Sequence, residues 1–109
     1  MPQQSRKLIV ARMRDDDLTG IARIFAESDA TELPHLVGVR RRTLFRFHDL
    51  YLHLIESEVD ISADLAKVQQ HPLYTDVSDR LRPFMAPYHE SWRSPADAFA
   101  QQFYGWEAR

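Results

Sequence analysis

The chain has 109 residues, enough for one domain (1–109) with its own core but few for an enzyme pocket enclosed by a single subunit. Its formal net charge of −2 argues against broad electrostatic binding to nucleic acid or anionic membranes, and no stretch approaches a membrane span of roughly 20 apolar residues. The absence of cysteine excludes disulfides, thiolate nucleophiles and Cys-ligated metals. The N-terminal residues do not have the pattern of a signal peptide, so the cytoplasm is the expected location.

The first third of the chain predicts a strand, a helix and a loop. Lys7 to Met13 is a β-rich run and is taken as the first strand. Apolar residues then recur at i, i+3, i+4 and i+7, which predicts a helix from about Asp17 to Ser28, with acidic residues at its start. Asp29 to Leu36 contains Pro34 and polar residues and predicts a loop.

The run from Val37 to Glu56 predicts a β-hairpin with a tight turn at His48-Asp49. Because side chains alternate along a strand, the hairpin has two faces. The apolar face, suited to packing under helices, holds Thr43, Phe45, Phe47, Leu50, Leu52 and Leu54. The mixed face, which combines apolar and ionisable side chains, holds Arg42, Leu44, Arg46, Tyr51, His53 and Ile55. We expect the mixed face to line a pocket or a partly buried interface.

The second half of the chain predicts helices and a final strand. Apolar spacing indicates a helix that begins near Ser62, is interrupted at His71-Pro72 and resumes through about Arg82. Phe84 to Ser94 is predicted to be irregular because prolines flank and interrupt it. Ala100 to Glu107, with three aromatic residues, predicts the last strand.

The resulting order of elements is βαββαβ. Right-handed crossovers convert this order into an α+β, ferredoxin-like fold, in which a four-stranded antiparallel sheet has both helices on one face. We expect the mixed face to be the open one, where an uncovered Leu44 and Ile55 would leave an exposed apolar patch. A second copy of the chain is therefore expected to cover it, giving a homodimer of the dimeric α/β-barrel type.

Three ionisable residues are candidates for catalysis. His53 titrates near neutral pH and is able to accept and donate protons, although a histidine that fills a sheet surface is the commoner role. Arg42 carries a permanent planar charge that suits a carbonyl or phenolate oxygen, and a solvated charge run is the equally frequent alternative. Alternation sends Arg41 to the other face, near Glu56. Asp29 is a candidate base or a partner that orients the other two, and an ordinary helix-end residue is at least as common.

Other residues are candidates for substrate contact. Arg46 and Tyr51 are suited to orient substrate hydroxyls, and sheet packing is equally frequent for the tyrosine. Trp106 is suited to stack on a flat aromatic ring, although aromatics in a final strand more often serve the core or a dimer contact. The five histidines lack metal-ligand spacing and the three glycines are not grouped, so neither a metal site nor a phosphate loop is expected. With the two apolar residues of the mixed face, the predicted contacts are Arg46, Tyr51, Leu44, Ile55 and Trp106.

The segment TELPHLVGVRRRTLFRFHDLYLHLIE (31–56) resembles the tetracenomycin-type aromatic polyketide cyclases, including those of streptomycete spore-pigment pathways. The likeness continues into HPLYTDVSDRL (71–81) and weakly into FYGW (103–106). The resemblance implies a ferredoxin-like homodimer without metal or organic cofactor. It also implies closure of a late ring of a polycyclic polyketide by intramolecular aldol condensation and dehydration.

The resemblance favours catalytic roles for His53 and Arg42. The family has a His-Asp pair where this chain has Ser28-Asp29, so the implied mechanism rests on Asp29, Arg42 and His53, and Ser28 is left to hold a water or hydrogen-bond the substrate. Two alternatives stay open: a cofactor-independent monooxygenase of the same fold, and a non-catalytic dimeric module that binds ligands.

Overall fold

Four antiparallel strands form one sheet with the order β2-β3-β1-β4. The computed structural model describes residues 5–93 and 95–108. The strands are β1 (Ser5–Met13), β2 (Arg41–Phe47), β3 (Leu50–Ser57) and β4 (Met85–Pro87). The helices are α1 (Leu18–Asp29), α2 (Leu33–Val37), α3 (Ser62–Val68) and α4 (Pro72–Leu81), with a short 3₁₀ turn at Pro95–Ala98. Placing β1 between β3 and β4 requires two crossovers, so the predicted ferredoxin-like topology is confirmed.

Local chemistry explains where α1 and α4 begin. The Asp17 carboxylate accepts a hydrogen bond from the Gly20 amide at 3.0 Å and so caps α1. A Cβ atom on residue 20 would lie 2.5 Å from Oδ2 of Asp17, so a larger residue than glycine would clash with the capping side chain. At α4, His71 accepts through Nδ1 from the amide of Leu73 at 3.1 Å, which confirms the predicted interruption at His71-Pro72.

The segment predicted as a loop before the hairpin contains α2, so that prediction is wrong. Pro34 lies in the first turn of α2, where an amide N–H would have no intrahelical partner and proline is tolerated. Gly38 ends the helix with a φ of 92°, a left-handed conformation that glycine adopts without strain.

The hairpin has the predicted register. His48 and Asp49 form its turn, with His48 at a φ of 54°, and Phe47 lies opposite Leu50. Farther along, Leu44 pairs with His53. The division of side chains into two faces follows from this register and is confirmed.

The side of the sheet that the helices cover is opposite to our expectation. The mixed face lies beneath the helices, where Tyr51 and His53 are each 5% exposed. The apolar face is the open one, and Phe45 and Phe47 are 53% and 63% exposed. The hairpin alone does not decide this, because both faces carry enough apolar surface to be buried and the crossovers determine which one meets the helices.

The core lies between the helices and the mixed face. Its larger cluster joins sheet residues to all four helices and their connections: Ile24, Leu33, Val37, Ile55, Ile61, Leu65, Val68 and Val77. A smaller cluster joins α1 to β3 through Ile21, Phe25 and Tyr51. Ile61 is completely buried, and burying such a side chain contributes roughly 1.5–3 kcal/mol.

The fourth strand lies elsewhere than predicted. It is Met85–Pro87, within the segment expected to be irregular, and it pairs with the end of β1. Pro87 is tolerated because β4 is an edge strand. The predicted last strand, Ala100 to Glu107, is wrong: only the Ala100 amide donates to the sheet, to the Leu8 carbonyl at 2.7 Å, and residues 101–108 have no regular structure. Among the described residues, no helix is long and apolar enough to cross a membrane.

Candidate functional site

Three side chains of the mixed face and one from α1 form a continuous hydrogen-bonded chain. Arg42 donates from Nη2 to Oδ1 of Asp29 at 2.8 Å, and its Nε lies 3.1 Å from both carboxylate oxygens. Nη1 of Arg42 lies 2.9 Å from Nε2 of His53. Nδ1 of His53 lies 3.0 Å from the Tyr51 hydroxyl oxygen. Arg42 therefore contacts both of the other predicted catalytic residues, and Tyr51 extends the chain.

Strand pairing brings Arg42 and His53 together. Arg42 pairs with Ile55 and Leu44 pairs with His53, so the arginine and the histidine are diagonal neighbours on one face of adjacent strands. Asp29 reaches them from the last turn of α1. The helix end and the hairpin thus meet at one ion pair.

Phe25 is a site residue that the sequence analysis missed. Its ring meets His53 edge-on, with the centroids 5.2 Å apart, and the Arg42 guanidinium carbon lies 5.0 Å from its centroid. Such contacts hold a cation and an imidazole in place. Its spacing in the sequence could have indicated this role. Phe25 lies four residues before Asp29 and four after Ile21, so the three share one side of α1.

His53 is a neutral imidazole in this environment. Burial, and secondarily the positive charge of Arg42, lower the pKa of His53 from 6.5 to about 3. Since a guanidinium only donates, Nε2 of His53 must accept, and the single ring proton belongs to Nδ1. Nδ1–H then donates to the Tyr51 oxygen. Burial also raises the pKa of Tyr51, against a smaller opposing effect of Arg42, so that side chain stays a phenol.

Tyr51 also lines a cavity of about 200 Å³ between α1 and the β2–β3 hairpin. Most of the lining is apolar and includes Leu18, Ile21 and Leu44, while Arg46 and Tyr51 are its polar side chains. Three predicted substrate contacts, Leu44, Arg46 and Tyr51, therefore lie around one cavity.

The other predicted contacts lie apart from this cavity. Ile55 belongs to the larger core cluster. Ser28 is half-buried in α1, and its carbonyl accepts from the Thr31 amide at 3.0 Å. Trp106 is 74% exposed in the C-terminal segment. A second cavity of about 280 Å³, lined by Val10, Trp92 and others, includes none of the predicted site residues.

No metal site is evident in the part of the chain that the structure describes. Within residues 5–93 and 95–108, no three histidine, cysteine or acidic side chains are grouped as ligands. The arrangement instead offers a held cation, a neutral imidazole and a phenol beside an apolar cavity, which suits stabilisation of a developing oxygen charge.

The chain is similar to known proteins over nearly its whole length. Residues 5–107 match the family model described as polyketide synthesis cyclase. The chain is 48% identical over 103 residues to tetracenomycin F2 cyclase of Streptomyces glaucescens, with 94% of each chain covered. A solved structure of tetracenomycin F2 cyclase from that organism, described as a type-II polyketide cyclase, superposes with a TM-score of 0.90 and 47% identity, and covers 96% of this chain and 99% of that one.

A more distant structure shares the fold alone. It is a putative antibiotic biosynthesis monooxygenase from Nitrosomonas europaea, with a TM-score of 0.55 and 11% identity over 79% of this chain and 83% of that one. The family model and the close relative span nearly the whole chain. The chain therefore belongs to the polyketide synthesis cyclase family, and its function is that of an aromatic polyketide cyclase.

Proposed function

We propose that this enzyme closes a late ring of a polycyclic aromatic polyketide intermediate by intramolecular aldol condensation and dehydration, without a metal or an organic cofactor. The observation that carries the proposal is the hydrogen-bonded chain from Asp29 through Arg42 and His53 to Tyr51, which ends at an apolar cavity. An aldol closure creates negative charge on a carbonyl oxygen, and an apolar site with a fixed cation and fixed donors stabilises such charge.

Within this proposal Arg42 supplies the positive charge, and His53 lies between Arg42 and the Tyr51 hydroxyl at the cavity. The ion pair with Asp29 fixes the Arg42 guanidinium in contact with the His53 imidazole. Because both ring nitrogens of His53 are engaged, any proton that His53 exchanges with a substrate passes through the Tyr51 hydroxyl. These contacts support the proposal that His53, Arg42 and Asp29 act on the reaction as one unit.

The cavity supports a role in folding the substrate. Its volume of about 200 Å³ is below the range of roughly 300–1,000 Å³ that is usual for complete ligand pockets. We propose that it encloses the reacting ring while the remainder of the intermediate extends past Arg46, which is exposed at its rim. Leu44 and the apolar side of α1 would hold the two reacting carbons in near-attack geometry, an effect that supplies up to roughly 7–11 kcal/mol.

We further propose a homodimer assembled through the open apolar face. Phe45 and Phe47 project from this face with more than half of their surface exposed, beside the partly exposed Leu52 and Leu54. A contiguous apolar surface of this kind marks an interaction site, and a second copy with the same surface is a suitable partner. Location in the cytoplasm, inferred from the sequence, is part of the same proposal.

Product mass tests the reaction. Purified protein is incubated with anthraquinone-type and naphthacene-type precursors, and the expected product is lighter than its precursor by one water. A product heavier by one oxygen, formed with oxygen consumption, would instead identify a monooxygenase. Tight binding of an unaltered precursor would identify a binding module and would contradict the proposed reaction.

A further inference from the structure

The Tyr51 hydroxyl has a defined direction. Its oxygen accepts the Nδ1–H of His53, because the other ring nitrogen already accepts from Arg42. The phenolic hydrogen is therefore turned away from the imidazole. Within the described part of the chain, the Tyr51 hydroxyl makes no other hydrogen bond, so no described residue accepts its hydrogen.

Tyr51 is also the member of the hydrogen-bonded chain that lines the cavity. The cavity is lined by Tyr51 but by neither Arg42 nor His53. The remaining polar side chain of its lining, Arg46, is exposed to solvent, whereas Tyr51 is 5% exposed and packed against Ile21 and Phe25. A buried donor in apolar surroundings stabilises charge more strongly than a solvated one.

We propose that Tyr51 contacts the reacting carbonyl oxygen and donates a hydrogen bond to it as negative charge develops. In this arrangement Arg42 and His53 affect the reaction by fixing the orientation of the Tyr51 hydroxyl. The inference rests on the proposed cyclisation. It assigns Tyr51 as a catalytic residue and His53 as a positioning residue. No proton leaves the phenol in this step, which agrees with the burial that raises the pKa of Tyr51.

The alternative is that His53 itself removes a proton from the substrate. The two possibilities differ in which ring nitrogen matters. A positioning residue needs only the Nδ1–H that Tyr51 accepts, while a base needs a free nitrogen of ordinary basicity. Asparagine at position 53 places an amide N–H near the site of Nδ1, and glutamine places its amide near the site of Nε2, so the two replacements separate these roles.

The first experiment measures turnover of the identified precursor by Tyr51→Phe. We expect kcat to fall about 100-fold or more, with KM little changed, as for loss of a donor that acts in the transition state. Tyr74→Phe is the matched control, because it removes the same hydroxyl from a half-buried tyrosine on α4 that packs against the larger core cluster. Equal kcat for Tyr51→Phe and the wild type, at similar thermal unfolding midpoints, would overturn the inference.

The second experiment compares His53→Asn with His53→Gln. We expect the asparagine variant to retain at least tenfold more kcat than the glutamine variant, because it keeps a donor for Tyr51. Equal and complete loss in both would overturn the positioning role and favour His53 as the base.

The third experiment uses no substrate. Long-range ¹H–¹⁵N NMR reports which ring nitrogen of His53 carries the proton, and we expect Nδ1. A proton on Nε2 would overturn the inference. If the wild type releases no water from any precursor while the Nδ1 tautomer is found, the proposed cyclisation has failed and not the geometry. Full turnover by Tyr51→Phe is the separate failure of the inference alone.

Discussion

Arg42 and His53 are diagonal neighbours on adjacent strands, and Nη1 of the arginine donates to Nε2 of the histidine across 2.9 Å. Burial, and secondarily the permanent cation placed there by this contact, lower the pKa of His53 and keep the imidazole neutral. Asp29 balances the cation from the other side. A charge that is held on both sides is preorganised for the reaction and needs little rearrangement when the substrate oxygen becomes negative.

Replacing Arg42 should abolish most of the activity. We expect Arg42→Ala to lower kcat about 100-fold or more, because the chain loses both its charge and the donor to His53. Arg41→Ala is the matched control, since Arg41 lies on the opposite face and contacts Glu56 at 3.7 Å. Steady-state kinetics with the identified precursor measures both. Similar losses in the two variants would mean that the effect is a general one of basic charge and not of this site.

Replacing Asp29 should have a smaller effect. Asp29→Asn keeps the size of the side chain but removes the charge that holds the guanidinium, and we expect kcat to fall about tenfold, the scale of one hydrogen bond to a charged group. Glu27→Gln on the same helix removes a carboxylate paired with Arg80 and should leave kcat unchanged. An Asp29→Asn variant with full kcat would show that Arg42 needs no support from α1.

Stability should fall in acid because of His53. The folded protein has a pKa of about 3 at this residue and the unfolded chain about 6.5, so between these values the unfolded chain binds more protons. The stabilisation is therefore complete above pH 6.5 and is lost as the pH falls toward 3, with a slope of at most ~1.4 kcal/mol per pH unit.

Urea unfolding at pH values from about 7.5 to about 5 measures this slope, and the range is chosen around the ordinary histidine pKa of about 6.5. The wild type should lose more free energy of unfolding over this range than His53→Gln, since the other four histidines are common to both proteins. Parallel pH profiles for the two proteins would contradict the buried neutral imidazole.

A charge on the open sheet face should separate the proposed dimer. We expect sedimentation to show a dimer for the wild type at micromolar concentration and a monomer for Phe47→Glu, because an unpaired carboxylate would be buried between two apolar surfaces. Val59→Glu introduces the same charge at another exposed apolar residue, between β3 and α3, and should leave the dimer intact. A wild type that sediments as a monomer would contradict the assembly itself.

Local patterns determined the elements that carry the site. The predicted turn at His48-Asp49 set the register of β2 against β3. Alternation, a property of neighbouring residues, then set which side chains share a face. The same alternation placed Arg41 opposite Glu56 and kept Arg42 on the face of His53. The placement of Arg42 and His53 on one face depends only on the two-residue alternation of a strand and was therefore predictable.

The last strand was not predictable from local preference. Residues 100–107 have strong β propensity, yet the edge of the sheet is taken by Met85–Pro87, which the prolines argued against. An edge strand needs hydrogen bonds on one side only, so pairing with β1 outweighs a weak propensity there.

By itself, the sequence determined which side chains share a face of the sheet and that Arg42 and His53 would point the same way. Only the tertiary structure decided that this face lies beneath the helices, that Phe25 closes over it and that Tyr51 reaches the cavity. The physical reason is that alternation is set by bonds between adjacent residues, whereas the choice between two faces of similar hydrophobicity depends on how distant crossovers pack.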